Sequence, residues 1–186
     1  RKEEIVVVDG DAEARADAQA HGFATVAGSA TSTATLEQAG IRDAGAVVVA
    51  PNRDDTSVLI TLTARELAPG ATIVSAVREE ENVHLLHQSG ANSVITSSGA
   101  AGRLLGLATH TPRLVEVLED LLSVGTGLDL VEREVRPDEV GPLKQLRGDE
   151  PVVAVVRDGK VLRFDDPDCA MLEPGDLLVR LRSHKG

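Results

Sequence analysis

Short apolar runs alternate with longer stretches of helical periodicity over the first half of the chain. The runs are β-branched and continuous, at residues 5–8, 23–26, 46–50, 72–77 and 93–95. Runs of this kind are typical of strands buried on both faces, and the stretches between them are long enough for crossover helices. The pattern predicts a doubly wound parallel α/β sheet.

Several helices of this half have start and stop signals. Asp11 precedes an alanine-rich segment, and Asp54 or Asp55 is the expected cap of the helix that Pro69 and Gly70 end. Short polar side chains at these positions can accept hydrogen bonds from the first amides of a helix, and proline cannot continue one. Each helix then returns the chain to the next strand.

The pattern changes after residue 98. Two helices, "SSGAAGRLLGLATH" and "PRLVEVLEDLLSVG", flank "THTP", which together with "GTG" (125–127) is a candidate hinge. The second helix has an apolar stripe that is wider than one packing face requires, at Leu114, Val115, Val117, Leu118, Leu121 and Leu122. This width indicates contact with a partner, so residues 99–124 are interpreted as crossover helices and a dimer contact.

A second unit follows "GTG". The pattern predicts a strand at 128–135, a helix at 138–146, strands at 152–159 and 160–164, and a final strand at 176–181. Asp158 and Gly159 form a two-residue hairpin signal. Residues 125–186 are therefore a small α+β lobe, and residues 1–98 are the parallel α/β lobe.

Composition narrows the classes of partner. The 19 Lys and Arg residues stand against 30 Asp and Glu, a net charge of −11, which disfavours binding to nucleic acid or to an anionic membrane surface. No apolar stretch approaches the ~20 residues of a membrane helix. The single cysteine, Cys169, excludes an internal disulfide and is expected to be incidental. The chain has cytoplasmic character.

Motifs in both lobes resemble those of one family. "VVVDGD", "GSAT", "LEQAGIRDAGAVVVA", "ARELAPGATIVSAVR" and "LLHQSGANSVI" resemble the N-terminal lobe of RCK domains, the TrkA-type (KTN) regulators of K⁺ conductance. "VVAVVRDGKVL" and "MLEPGDLLVRL" resemble the C-terminal lobe. The resemblance implies a Rossmann-like fold whose first βα unit, with its G-x-G-x-x-G loop, is absent here. A fragment of a longer polypeptide is expected, because without that central strand the first strand has an open apolar edge.

The resemblance also implies a function. The chain would be a cytoplasmic ligand-sensing (gating) domain of a potassium channel or K⁺ transporter, and not an enzyme. It would form a homodimer or an octameric ring, and would be held at the membrane by a pore or transporter subunit. The alternatives are a fragment of an NAD-dependent oxidoreductase and an assembly scaffold without ligand.

The first candidate site residues follow the first two strands. Asp9 stands at a strand's carboxyl end, where a carboxylate can accept both hydroxyls of a ribose, with Gly10 and Asp11 beside it. The alternative is that Asp9 or Asp11 caps the next helix, with Asp11 the better candidate. In "GSAT", Gly28 would let the backbone approach an adenine, and Ser29 and Ala30 follow it. The family commonly has an acid where Ser29 stands; alternatively, Ser29 or Thr31 caps a helix.

The next two strands end in further candidates. Pro51 and Asn52 would line the same crevice, whereas Asp54 is interpreted as a cap. Arg78 could bind a phosphate as a fork donor or pair with a nearby glutamate. The resemblance implies an adenine nucleotide or NAD as ligand, bound weakly or not at all by this chain alone.

No metal site is expected. "REEEN" (78–82) contains three consecutive acids, but some calcium-gated relatives have acids on the preceding strand, where Ala76 and Arg78 stand here. The acids are interpreted as the negative start of a helix. His84 and His87 share a helix face without a third ligand.

Overall fold

A computed structural model describes residues 5–123, 127–146 and 150–183, and the chain divides into two compact units, 1–105 and 106–186. The helices are α1 (Ala12–Ala20), α2 (Thr33–Gln38), α3 (Asp54–Leu67), α4 (Val83–Gln88), α5 (Ser97–His110) and α6 (Pro112–Leu122). The first unit has strands β1 (Val6–Asp9), β2 (Ala24–Ala27), β3 (Ala46–Val49), β4 (Thr72–Val77) and β5 (Ser93–Thr96). The second has β6 (Leu128–Glu134), β7 (Gly141–Pro142), β8 (Val152–Arg157), β9 (Lys160–Arg163), β10 (Met171–Leu172) and β11 (Leu177–Ser183).

All strands of the first unit are parallel, which confirms the α/β class. β1 pairs with β2 in the register Val6 to Ala24, and β3, β4 and β5 form a separate sheet in that order. No described strand pairs with the other edge of β1 or with the outer edge of β3. Ile5 and Val6 at the free edge are 54% and 36% exposed.

The three-stranded sheet buries one face. Its core contains Val49 and Ile73 from the strands together with Ile60, Ala64 and Leu67 of α3. Burial alternates along β4, and Val48 in β3 is 77% exposed. The expectation of strands buried on both faces is therefore wrong for the described residues, because α3 and the core lie against one face only.

Polar side chains join α3 to β4 inside this core. The Ser57 hydroxyl donates to the carbonyl oxygen of Ala76 at 3.0 Å, and the hydroxyls of Thr61 and Ser75 are 2.8 Å apart. Ser57, Thr61 and Ser75 are each at most 1% exposed. Their small size allows helix and strand to approach closely. The two hydrogen bonds offset the cost of burying these hydroxyls.

The segment β1–α1–β2 differs from the rest of the first unit. It has a complete parallel ladder, but no residue from 5 to 27 is buried. Its order therefore depends on backbone hydrogen bonds and half-buried side chains rather than on a core.

The two crossover helices form as predicted, and the helical conformation is interrupted between them at Thr111. Pro112 occupies the first turn of α6, where a missing amide proton costs nothing. Neither helix contains a buried residue, and Leu105 and Leu122 are 70% and 74% exposed. Of the second hinge candidate, residues 125 and 126 lie outside the described residues. The longest described helices have 14 residues, and none could cross a membrane.

The second unit is built on an antiparallel sheet of order β6-β11-β8-β9. The predicted hairpin is confirmed, since Arg157 pairs with Lys160 across Asp158 and Gly159, both of which have positive φ. The helix predicted at 138–146 is wrong. Two short 3-10 turns, Pro137–Glu139 and Leu143–Gln145, flank strand β7 there. Gly141 has a φ of +138°, and Pro142 follows it, so one continuous helix cannot form.

Arginine–carboxylate pairs fix the turns of this unit. Arg157 donates from Nε and Nη2 to the two oxygens of Asp176, at 2.8 and 2.7 Å, and Nη2 also donates to the carbonyl oxygen of Met171. Asp176 is 2% exposed and lies beside the buried Cys169. Burial raises the pKa of the Cys169 thiol, consistent with an unreactive core cysteine.

Candidate functional site

The ends of β1 and β2 bring Asp9, Gly10 and Gly28 together. The amide of Gly28 donates to the carbonyl oxygen of Asp9 at 3.2 Å. One carboxylate oxygen of Asp9 accepts the amide of Asp11 at 2.8 Å, which closes a local turn. No other hydrogen bond to the Asp9 carboxylate occurs among the described residues, so most of its accepting capacity remains for a ligand.

Asp11 is the helix cap. Its Oδ1 accepts the amides of Glu13 and Ala14 at 2.7 and 3.4 Å, which confirms the interpretation of Asp11 as the cap of α1. The two acids of "DGD" therefore have different tasks in the fold. The first holds a tight turn and presents a carboxylate at the strand end, while the second satisfies the helix amides.

Gly28 has a structural requirement of its own. Its φ is +144°, and a Cβ at this position would lie 2.8 Å from the Thr35 hydroxyl oxygen. The absence of a side chain is therefore needed for the turn and for Thr35, whether or not an adenine approaches. Ala30 packs against the core of the unit.

The proposed caps of α2 are wrong. The cap position is Ser32, and the hydroxyl of Ser29 is instead hydrogen-bonded to that of Thr31 at 2.7 Å. The turn between β2 and α2 closes through this pair, because the amide of Thr31 also donates to Ser29 Oγ. Ser29 is thus a neutral group in this turn.

A second group of side chains lies where β3 and β4 end. An open depression of about 280 Å³ is lined by Arg53, Asp54, Asp55, Arg78, Glu79 and Asn82. Of the nine predicted ligand residues, only Arg78 lines it; Asn52 accepts a hydrogen bond from Arg78 Nη1 at 3.4 Å. Pro51 adjoins Asn52 and is half-buried. The other predicted ligand residues follow the ends of β1 and β2, at Asp9, Gly10, Asp11, Gly28, Ser29 and Ala30.

Asp54 is not a helix cap. Its carboxylate accepts the amides of Arg78 and Glu79 at 2.9 and 3.1 Å and the side-chain amide of Asn82 at 2.8 Å. It therefore joins the start of α3 to the loop after β4. Burial alone would raise the pKa of Asp54, but these hydrogen bonds together hold it below its usual value.

Arg53 was not a predicted site residue, although it also follows a strand end. It forms a bidentate pair with Asp55, at 3.0 and 2.7 Å, and this hydrogen bond lowers the pKa of Asp55 to about 2. The pair is exposed and satisfies its own charges. A basic residue in the loop after a strand of a parallel sheet is the signal that could have drawn attention to it.

Arg78 is the cation with spare donors. Its single described side-chain hydrogen bond is the 3.4 Å contact with Asn52, and no described carboxylate lies within ion-pair distance. The alternative of a pair with a nearby glutamate is therefore wrong for the described residues. The Ser98 hydroxyl donates to the carbonyl oxygen of Arg78 and fixes the backbone there.

No cluster of three or more His, Cys, Asp or Glu that could hold a metal was found within 5–123, 127–146 and 150–183. His84 and His87 bond to backbone carbonyl oxygens, of Glu81 at 2.7 Å and Ala91 at 3.3 Å. Both rings therefore have a role within the helix and its flanking turns.

A parallel α/β fold with polar groups at the carboxyl ends of its strands matches one family. The TrkA-N domain model matches residues 1–97, and the chain belongs to that family. It is an RCK/TrkA-type domain, homologous to regulatory domains of potassium channels.

Individual similar proteins support this family assignment. The chain is 28% identical to the probable potassium channel protein 2 of Methanocaldococcus jannaschii over 102 residues, 55% of this chain and 30% of that protein. A solved structure of GsuK bound to ADP is 28% identical, with a TM-score of 0.54, covering 60% of this chain and 29% of that one. The human SLO3 gating ring shares the fold, with a TM-score of 0.72 at 13% identity, over 97% of this chain and 39% of that one. The chain spans about a third or less of the length of the curated relatives it matches.

Proposed function

We propose that this chain is the ligand-sensing part of a regulatory assembly on a potassium channel or K⁺ transporter. An adenine nucleotide or NAD would bind at the carboxyl edge of the first unit, with its ribose hydroxyls on Asp9. Binding would favour one arrangement of associated copies, because a ligand shifts a conformational equilibrium only through its different affinities for the two states.

The observation that carries this proposal is the carboxylate of Asp9. It stands at a strand end beside Gly28, it has one short hydrogen bond within its own turn, and Asp11 performs the capping in its place. Ligands of open α/β sheets bind beyond the carboxyl ends of the strands, where such an acid can accept two hydroxyls. The ADP named in the related GsuK structure supports the choice of ligand class.

Arg78 extends the site toward a phosphate. The depression beside it contains three carboxylates and only two guanidinium groups, which is not a cationic pocket. However, the Asp55 carboxylate is paired with Arg53 and the Asp54 carboxylate accepts three N–H donors, so neither occupies the donors of Arg78, which remain for an anion. Such a site binds phosphate weakly by itself, and a glycine-rich loop with helix amides would supply the main diphosphate contacts.

The site is proposed to bind its ligand without transforming it. The described groups at both strand-end clusters are acids, arginines, amides and hydroxyls, and histidines are not among them. A general acid or base working near pH 7 would need a group whose pKa is raised or lowered toward that value. The pKa values of Asp54 and Asp55 are shifted downward, away from it.

Association of copies is proposed to involve the crossover helices. α6 has apolar side chains on more than one face, and Leu114, Val117 and Leu122 are between 43% and 74% exposed. The assembly would lie on the cytoplasmic side of the membrane and attach through a pore or transporter subunit. Nucleic acid is not a proposed partner, given the net charge of −11.

Calorimetric titration of ADP and NAD tests the ligand proposal. We expect weak or undetectable binding to this chain and clear binding of one of them to the full-length polypeptide. In that polypeptide Asp9→Ala should weaken binding by about ten- to a hundredfold, since a hydrogen bond to a charged group contributes roughly 1.5 to 3 kcal/mol.

Asp11→Ala is the matched control, because it removes an acid two residues away that caps α1. It should reduce stability slightly and weaken affinity much less than Asp9→Ala does. If Asp9→Ala in the full-length polypeptide leaves affinity within about twofold, the ribose assignment fails. Binding of neither nucleotide to that polypeptide would favour a scaffold.

A further inference from the structure

Helix α1 has an arginine on the face that lies toward the β1–β2 ladder. Arg15 and Ala18 are half-buried, whereas the other residues of α1 are exposed. Residues three positions apart share one face of a helix. Because an alanine-rich helix has small apolar residues available for this face, an arginine there needs a physical reason.

The Arg15 side chain ends at the backbone of Asp9. Its Nη1 donates to the carbonyl oxygen of Asp9 at 2.9 Å, and the amide of Gly28 donates to the same oxygen at 3.2 Å. The aliphatic stem of an arginine can cover apolar surface while its guanidinium reaches a polar group at the rim. The peptide that follows Asp9 is therefore held from two elements, α1 and the end of β2.

Arg15 binds the backbone of Asp9 and leaves the carboxylate accessible. None of the ion pairs within the described part of the chain includes Arg15, so its guanidinium does not compete with a ligand for this acid. The carboxylate is fixed instead at one oxygen, which accepts the amide of Asp11 at 2.8 Å. A guanidinium paired with the carboxylate would block the acceptor, whereas one bonded to the adjacent carbonyl oxygen orients it.

We propose that Arg15 is a positioning residue for the Asp9 carboxylate, an inference that rests on the proposed nucleotide function. No residue from 5 to 27 is buried, so packing alone does not fix this strand end. Without the Arg15 hydrogen bond, the peptide after Asp9 would sample other orientations, and the carboxylate would be placed for a ribose during a smaller fraction of the time. The observed dissociation constant rises as that fraction falls.

Calorimetric titration of the full-length polypeptide with ADP and NAD tests this role. Arg15→Met keeps a stem of similar length and removes every donor. It should raise the dissociation constant roughly three- to tenfold, because fewer molecules have the carboxylate in place. Gln19→Met is the matched control, since Gln19 Nε2 donates to the Thr25 hydroxyl at 2.7 Å and joins the same helix to β2 away from Asp9. This control should stay within about twofold of the parent.

A double-mutant cycle separates positioning from direct contact with the ligand. If Arg15 acts through the Asp9 carboxylate, Arg15→Met should change affinity by less than about twofold once Asp9 is replaced by alanine. A guanidinium that stacks on the base or binds a phosphate would lose the same factor in both backgrounds, as would a general loss of stability. Equal factors therefore overturn the proposal, and so does an Arg15→Met effect no larger than that of Gln19→Met.

Hydrogen exchange in the 186-residue chain tests the anchor without a ligand. Arg15→Met should speed exchange of the Gly28 and Asp11 amides roughly threefold or more, because both bond to Asp9, and leave the Ile73 amide of β4 unchanged. Unchanged exchange at Gly28 and Asp11 overturns the proposal. If exchange responds but Asp9→Ala leaves nucleotide affinity unchanged, the proposed function fails and the positioning role with it, while the anchor stands as a structural contact.

Discussion

The two units contain arginine–aspartate pairs of the same geometry that have different roles. Arg53 and Asp55 in the first unit and Arg157 and Asp176 in the second both form two parallel N–H to carboxylate hydrogen bonds, with Nη2–Oδ2 distances of 2.7 Å. The first pair is 70% and 64% exposed, whereas the second is 22% and 2% exposed. The hydrogen-bond geometry of the two pairs is the same, and they differ in how deeply their side chains are buried. A buried pair holds the fold together, while an exposed pair leaves its surroundings open to ligands.

This contrast extends to the surrounding charges. In the second unit, Arg133 is held by Glu139, whose pKa is lowered to about 2 chiefly by that hydrogen bond. At the strand ends of the first unit, Arg78 has one long hydrogen bond and Asp9 one short one. At these positions the arginines of the second unit have a structural role, whereas the strand ends of the first unit keep polar groups accessible.

The largest expected effect is the loss of the buried pair. Asp176→Ala should destabilise the second unit by about 3 kcal/mol, because it removes the buried carboxylate and leaves the Arg157 guanidinium with only the exposed carboxylate of Glu173. Asp165→Ala removes the carboxylate of the exposed Arg163 pair in the same unit and should cost under about 1 kcal/mol. Urea unfolding followed by circular dichroism measures both. Equal losses would show that burial is not what separates the two kinds of pair.

An intermediate effect is expected at Asp54. Asp54→Ala removes the acceptor of three N–H groups after β4 and should cost roughly 2 kcal/mol, while Asp55→Ala should cost little. The pKa of Asp54 is lower in the folded state than its ordinary value. Its stabilisation is therefore present above that ordinary value, and it is lost as the pH falls through the folded-state pKa. Unfolding measured from neutral to acidic pH should show a smaller acid-side loss in Asp54→Ala than in the parent chain.

The smallest expected effect is that of calcium. Millimolar Ca²⁺ should leave the melting temperature unchanged, since a ligand that binds the native state must raise it. The acids of "REEEN" begin a short helical segment, and the resemblance predicts no calcium site at Ala76 and Arg78. A rise in melting temperature that disappears in Glu80→Gln or Glu81→Gln would show that the exposed acids of the first unit do form a metal site.

Local signals were enough to predict much of the fold. The apolar runs identified the parallel strands, Asp11 was predicted as a cap, and Asp158-Gly159 predicted the hairpin. Each depends on residues only a few positions apart. Asp54 was misinterpreted because its partners, the amides of Arg78 and Glu79, lie 24 and 25 residues further on. The helix expected at 138–146 failed because the backbone at Gly141 outweighs the apolar periodicity around it.

Which polar groups of the site remain accessible to a ligand was harder to predict from the sequence. The sequence indicated Asp9 and Arg78 but gave no means of telling which arginine is already satisfied. That distinction depends on exposure and on neighbours from other strands. Arg53, which follows the same strand end as Asn52, was missed for this reason.

The absence of buried residues in β1–α1–β2 has a thermodynamic consequence for Asp9. A segment ordered by its ladder and surface contacts opens with a small free energy, so part of the population at any moment lacks the strand-end geometry. The observed dissociation constant of a ligand at Asp9 is then the intrinsic constant divided by the fraction of ordered molecules. Any contact that orders this segment, whether from a neighbouring strand or another subunit, raises affinity without touching the ligand. If the chain binds nucleotide at Asp9 and associates as proposed, its affinity for nucleotide would depend on its assembly state through the order of residues 5–27.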